Sequence, residues 1–298
     1  MSTTTFSPIV GPAALSPEWY EQRRKLSTST DVARIMSGEA YSVWCEKVGL
    51  IDRFQGNEFT EVGQILEEPI LQLYERREQC KVRRPLPLLI DPETLILAAT
   101  PDAERIDVPA GVEAKSSISR QIAEKLGEEE SDRVPEGWQW QTQVQMAVTG
   151  WEWVDVAVLL FGRLKVYRVA RNEKLIKHCR QVAVEMHERV ERRDPPAIDF
   201  NNTAAQEAIR AMYGVNDGAT IVLSEVGFQR WIEYQNLSKQ AKSIDDLRKA
   251  CQAEVLAEMK DAALARLGNG FLLSRNAVHR KAYTVAESTF IQLRQRKE

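Results

Sequence analysis

An α/β sandwich around a mixed β-sheet is the fold class this sequence predicts, and three observations predict it. Helical stretches precede a cluster of short apolar runs. Those runs are separated by turn residues instead of by helices. A helix, a hairpin and a further helix then follow, up to a Pro-Pro pair. Helix and strand do not alternate regularly enough for a barrel or a doubly wound sheet. At 298 residues, with 43 % apolar and 28 % charged side chains, the chain is long enough and apolar enough for a sizeable core.

Residues 1–16 read as a flexible tail, and a helix begins near Pro17-Glu18-Trp19. Ser29-Thr30-Asp31 supplies N-cap residues for a helix over DVARIMSG. Val62, Ile65, Leu66, Ile70, Leu73 and Tyr74 fall at helical spacing, which predicts a helix over 60–79. Pro85 and Pro87 break the chain, and LLI (88–90) and TLILAA (94–99) read as strands joined by a turn at Asp91-Pro92. GVEAK (111–115) reads as a third strand, and the polar, acidic 118–136 as a loop with a short helix. GWQWQTQVQMAVTG (137–150) is a helix with a glycine stop, with Gln141 and Gln145 on one face and Val144 and Val148 on another. Segments 153–161 and 164–169 form a hairpin around Gly162-Arg163. The helix 172–193 carries Leu175, Cys179, Val182, Met186 and Val190 on one face, and Pro195-Pro196 ends it.

The expected organisation is therefore a tail (1–16), a core (17–200) and a C-terminal extension (201–298). The extension holds a short helix over 202–213, a long amphipathic helix over 228–267 and a terminal hairpin over 270–285. The stripe Leu237, Ala241, Ile244, Leu247, Cys251, Val255 and Met259 on that helix leaves core packing, oligomerisation and partner docking all open.

Composition narrows the function classes. No apolar run approaches the ~18 residues that span a bilayer, and the N-terminus lacks the pattern of a signal peptide. Cys45, Cys80, Cys179 and Cys251 are far apart, which predicts reduced thiols in a cytoplasmic protein and no zinc or iron–sulfur cluster. His178, His187 and His279 lack metal-ligand spacing, and no glycine-rich phosphate loop is present. With a net charge of −3, a nucleic-acid binder would have to gather its cations in a groove.

The stretch TPDAERIDVPAGVEAK (100–115) carries the chemistry. Side chains two apart on a strand share a face, so Glu113 and Lys115 point together and Ala114 points away. Asp102 is expected to end the preceding strand, and a turn through Val108–Gly111 would return the chain beside it and place it near Glu113. Two carboxylates with open positions suit a hard cation that keeps its waters, which describes Mg²⁺. Lys115 would orient the attacking water, help it lose a proton, or neutralise charge developing at phosphorus. That set fits phosphodiester hydrolysis, although the spacing alone is weak and also fits a charged surface hairpin.

The flanking stretches strengthen it. In order, WYEQRRKLSTSTDV with YSVWCEKVGL, GQILEEPILQLYE, TPDAERIDVPAGVEAK and WQWQTQVQMAVTG resemble the motifs of the YqaJ-like viral recombinases, the phage lambda exonuclease-type group of the PD-(D/E)XK nucleases. The likeness covers roughly residues 17–170. It implies a restriction-endonuclease-like core in which Asp102, Glu113 and a helix carboxylate bind Mg²⁺, with Mn²⁺ as a substitute. Glu67 matches that carboxylate and Glu68 is its neighbour. It implies that Lys115 activates water and that Gln141 lies near the scissile bond, with Gln143 as the second glutamine of the motif. Arg23, Thr30 and Thr100 fall where such enzymes hold the DNA 5′-phosphate. Ala103 replaces the family's usual glycine.

By resemblance the chain is a Mg²⁺-dependent exonuclease on linear duplex ends, running 5′ to 3′ in phage-type recombination. Its expected partner is a single-strand annealing protein, and a homotrimeric ring is an open option. An endonuclease or nickase on the same fold, and a non-catalytic DNA-binding recombination adaptor, are the alternatives.

Overall fold

The computed structural model describes residues 8–53, 56–214, 220–268, 270–277, 279 and 293. The chain divides into two compact units, 1–214 and 215–298.

Local capping sets the first helices. Ser16 Oγ accepts the Trp19 N–H (3.1 Å) and Pro17 opens the first turn of α1 (Pro17–Lys25). A short strand, β2 (Ser27–Thr28), leads into α2 (Ser29–Arg34). Its cap is Thr28, one residue earlier than the sequence reading, and Asp31 reaches back to the Thr28 N–H to complete a capping box. A five-residue π turn (35–39), with Gly38 at φ 88°, leads into α3 (Ala40–Lys47). Asn57 and Thr60 form a second capping box that starts α4 (Glu58–Glu78), close to the expected 60–79.

The main sheet has five strands in the order β3 (Val82–Arg83), β6 (Ala103–Arg105), β7 (Ala110–Ser117), β8 (Trp153–Leu160), β9 (Arg163–Ala170). β7 and β8 are parallel and the other pairs antiparallel, so the sheet is mixed as predicted. A small second sheet orders β1 (Ile9–Val10), β4 (Leu89–Ile90), β5 (Leu97–Ala99) and β2. The turn between β4 and β5 is held by Asp91, which accepts from Thr94 and is clasped by Arg180 at 2.8 and 3.1 Å. The sequence reading contained neither β3 nor β6, because strands of two and three residues that include charged side chains carry no apolar alternation.

One face of the main sheet is covered by α4, where Ile70, Leu71 and Tyr74 pack on Val112, Ala157 and Val166. The other face packs Val154, Val156 and Val158 against α6 (Glu136–Thr149) and α7 (Glu173–Arg192). The short helix expected within 118–136 is α5 (Arg120–Lys125). On α7 the buried residues are Ile176, Cys179, Ala183 and Met186, a stripe rotated by about one residue from the expected face. Beyond Pro195-Pro196 the chain adds α8 (Thr203–Met212) to the same unit. Ala205 and Ala208 there pack with Tyr41, Trp44 and Cys45 of α3.

The second unit contains α9 (Glu225–Met259) and a hairpin of β10 (Leu264–Arg266) and β11 (Leu272–Ser274). The long helix therefore stops at Met259, not near 267, and the alanine-rich stretch after it pairs as a strand. Helix propensity there yields to hairpin pairing. The hairpin lies earlier than the expected 270–285, most of whose second half falls outside the described residues.

A buried polar network pins α4 to the sheet. Tyr74 Oη donates to Asp155 Oδ2 (2.7 Å), and Arg168 grips the same carboxylate at 2.8 and 3.0 Å. Asp155 is fully buried. Replacing it by alanine strands a buried phenol, so Asp155→Ala should lower unfolding stability by about 2 kcal/mol. The check is a urea titration, which should show a lower midpoint at unchanged slope. An unmoved midpoint would mean the network contributes nothing net.

Candidate active site

The site is built where β7 passes under α6. Glu113 sits on β7 with only 1 % of its surface exposed, and an isolated carboxylate there would be costly. Three side chains satisfy it. Lys115 Nζ donates to Oε1 at 2.5 Å, Gln141 Nε2 donates to the same oxygen at 2.6 Å, and Gln145 Nε2 donates to Oε2. Lys115 also donates to Gln141 Oε1 at 3.1 Å, which closes a ring of Glu113, Lys115 and Gln141. The i, i+2 spacing on β7 and the i, i+4 spacing on α6 put these four groups on facing surfaces. Ala114 packs on the α4 side, as the alternation requires. Gly111 lets Trp151 lie against the strand, since a Cβ there would meet the indole at 2.2 Å.

Asp102 lies in the bend between β5 and β6, which belong to different sheets. Ala103 pairs with Val112, so Asp102 comes level with Glu113 in the antiparallel register. The expectation that Asp102 ends its strand is corrected: β5 ends at Ala99, and Asp102 precedes a strand that the sequence did not reveal. Its Oδ2 accepts the Ala114 N–H at 2.8 Å, which leaves Oδ1 for a ligand.

Glu67 and Glu68 both line a cleft of about 450 Å³ with Asp102, and they differ in their partners. Glu68 is bound by Arg84 at 2.7 and 2.8 Å and by Gln72 at 2.9 Å, and these partners hold its carboxyl down at about 2. Burial, then the Glu113 charge, push the Glu67 carboxyl above the ordinary value. The same two causes push Asp102 well up. Burial opposes the Lys115 ammonium, but Glu113 and Asp102 outweigh it and the net direction is up.

Three mutually repelling carboxylates beside one ammonium form a pocket that favours added positive charge. Among the described residues no three His, Cys, Asp or Glu side chains stand at ligating separation around one point. The all-oxygen donors therefore suit a cation held by one or two carboxylates and water, and not a complete protein cage. On that chemistry the residues fit Mg²⁺.

Of the predicted phosphate-binding residues, two are brought together. Trp19 Nε1 donates to Thr100 Oγ1 at 2.9 Å, and the Arg23 guanidinium lies 4.3 Å over the Trp19 ring. Thr30 is exposed on α2, and no hydrogen bond, ion pair or ring contact joins it to Arg23 or Thr100. Gln143 lies apart from the site. It donates to Ala170 O at 2.8 Å and accepts from Asn172 N at 2.9 Å, tying α6 to the start of α7.

Sequence reasoning missed Gln145 as a Glu113 partner, although its spacing from Gln141 was visible. It also missed Arg53, for which no local signal exists. Arg53 pairs with the buried Asp31 at 3.0 Å, and Lys47 pairs with the same carboxylate at 2.9 Å. Burial, then the Arg53 charge, lower Arg23 to about 10. Two guanidiniums thus stand near enough to repel, and Asp31 supports one of them.

Burial would raise the Asp31 carboxyl, but Lys47 and Arg53 outweigh it and hold it at about 2. A depressed carboxyl stabilises the fold above its unfolded value and loses that effect as pH falls toward its folded value. Asp31→Asn should therefore cost about 2 kcal/mol near neutral pH, with the gap to the parent closing between about pH 4 and pH 2. Thermal melts across that range test this, and a gap that stays constant would remove the carboxylate charge as the cause.

Comparison with known proteins gives a consistent picture. Over 262 residues the chain is 26 % identical to the uncharacterized protein YqaJ of Bacillus subtilis (strain 168), covering 85 % of this chain and 81 % of that one. The structure is similar to an alkaline exonuclease (LHK-Exo) from Laribacter hongkongensis at TM-score 0.50 and 20 % identity. That match covers 60 % of this chain and 94 % of the other, and it establishes a shared fold. The sequence profile of the YqaJ-like viral recombinase domain matches residues 18–152, the stretch that holds Arg23, Glu67, Asp102, Glu113, Lys115 and Gln141. The likeness to the YqaJ-like viral recombinase domain thus spans residues 18–152, the part of the chain that carries the candidate site.

Proposed function

We propose that this chain is a Mg²⁺-dependent exonuclease that hydrolyses linear duplex DNA from its ends, 5′ to 3′, in phage-type recombination. The observation that carries the reading is the buried ring of Glu113, Lys115 and Gln141, with Asp102 and Glu67 around it. The match to the family model and the fold shared with an alkaline exonuclease support it.

Asp102 and Glu113 would hold the cation, with Glu67 as the further carboxylate lining the cleft of Asp102. When bound, it supplies Lewis acidity toward phosphoryl oxygen and makes water a better nucleophile at neutral pH. The chain's own groups do the rest. Lys115 stays an ammonium, fixed between Glu113 and Gln141, and is placed to stabilise negative charge that grows on the phosphoryl oxygens. Gln141 and Gln145 keep the Glu113 carboxylate from rotating. Water adds to phosphorus, the bond to the leaving sugar oxygen breaks, and a proton ends on that oxygen. Arg23 and Thr100, braced through Trp19, are the groups for a 5′-phosphate.

No described helix is long and apolar enough to cross a membrane. A ring of three copies and a single-strand annealing partner follow from the family resemblance, and sedimentation and co-purification test them.

Digestion of 5′-phosphorylated, 5′-hydroxyl and closed circular duplexes, each with Mg²⁺ or EDTA, is the decisive assay. Loss of linear DNA alone, faster with 5′-phosphate, is expected. Cleavage of the circle would move the chain to the endonuclease reading, and no cleavage of any substrate would favour the adaptor. Lys115→Ala should reduce cleavage at least 100-fold, on the order of 3 kcal/mol of barrier, while DNA binding persists. Glu67→Gln should be similarly inactive and Glu68→Gln nearly normal. The reverse ranking would assign the helix carboxylate to Glu68.

A further inference from the structure

The catalytic cleft does not end at Glu67 and Asp102. It shares Glu75 and Arg84 with a second, larger cleft of about 820 Å³ that runs along α4 to its C-terminal end. Gln72, Arg76, Gln79, Lys81 and Ile106 line this continuation. From Glu67 to Gln79 the helix advances about 18 Å at 1.5 Å per residue. At roughly 3.4 Å per nucleotide, that length accommodates about five nucleotides of one strand.

The charges in the groove are unequally committed. Glu75 is held by the Val82 N–H at 3.0 Å and lies 3.6 Å from Arg84, and Asp107 is paired by Arg105 at 2.6 Å. Glu68 is occupied by Arg84. Arg76 forms no ion pair among the described residues, and Lys81 is exposed and only 4.0 Å from Glu75. The acids thus have partners within the protein, while Arg76, Lys81 at the far end of a long ion pair, and the Gln79 amide line the groove. Ile106, 68 % exposed, adds an apolar surface on which a base can rest.

We infer that this groove is a binding track for the DNA strand that carries the scissile bond, with Arg76 and Lys81 as its phosphate contacts. The inference rests on the nuclease reading. A phosphodiester in the cleft is part of a longer chain, and that chain must leave the site along a continuous depression. In a protein of net charge −3, local cations are what make such a path attractive.

The test uses the full chain with single-stranded 5′-phosphorylated oligonucleotides of two to ten nucleotides, with binding measured in Ca²⁺ to suppress cleavage. The parent should gain affinity with length up to about five nucleotides beyond the scissile bond. The double variant Arg76→Ala/Lys81→Ala should bind the ten-mer about tenfold more weakly and bind the dinucleotide as the parent does. Its salt dependence should fall by about 1.4 in log–log slope, for two lost contacts. Arg76→Lys/Lys81→Arg should restore the length dependence. Unchanged affinity at every length, or equal weakening of long and short ligands, would overturn the track and leave the nuclease reading intact. A parent that neither binds nor cleaves DNA would overturn the nuclease reading itself.

Discussion

A carboxylate buried in the middle of a sheet constrains everything around it. Glu113 is on the central strand of five and almost without solvent, so its charge must be met by donors from the protein. Lys115 can supply one because strand geometry puts it on the same face. The others must come from the helix above, which requires two amides one turn apart. That need fixes the rotation of α6. With Gln141 and Gln145 turned to β7, Gln143 is turned away and finds its partners at Ala170 and Asn172. One buried charge therefore orders the strand, the helix and the helix's junction with α7.

The second constraint is the rotation of α4. Tyr74 and Glu67 are seven residues apart and so lie on one stripe of that helix. The bond from Tyr74 to the buried Asp155 locks the stripe against the sheet, and Glu67 is thereby presented to the cleft. Glu68, about 100° further round, meets Arg84. The neighbouring acids are chemically alike and line one cleft, and the anchoring of the helix gives one of them an arginine partner and leaves the other among carboxylates.

A third feature links the N-terminal helix to the cleft. Trp19 joins Arg23, one turn along α1, to Thr100, two residues before Asp102. The indole thus sets the spacing between a cation and the start of the hairpin that holds Asp102 and Glu113. Behind it, Asp31 both caps α2 and neutralises Lys47 and Arg53, so one buried acid serves local structure and the electrostatics around Arg23.

Much of this was legible in the sequence. Capping residues, glycine stops and apolar periodicity marked most helices and the β8–β9 hairpin, because those signals are local. The pairs Glu113/Lys115 and Gln141/Gln145 were legible for the same reason: strand and helix periods place each pair on one face. The short strands β3 and β6 were not, since they exist only through pairing with a neighbour. The different partners of Glu67 and Glu68 depended on Tyr74 reaching an aspartate 81 residues away. The pairing of Arg53 with Asp31, and the link from Arg23 through Trp19 to Thr100, depended on how α1, α2 and the segment after α3 pack. The sequence by itself determined which chemical groups each element can present. The tertiary structure decided which groups meet, because long-range contacts, and not local periodicity, set the rotation of each helix and the register of each strand.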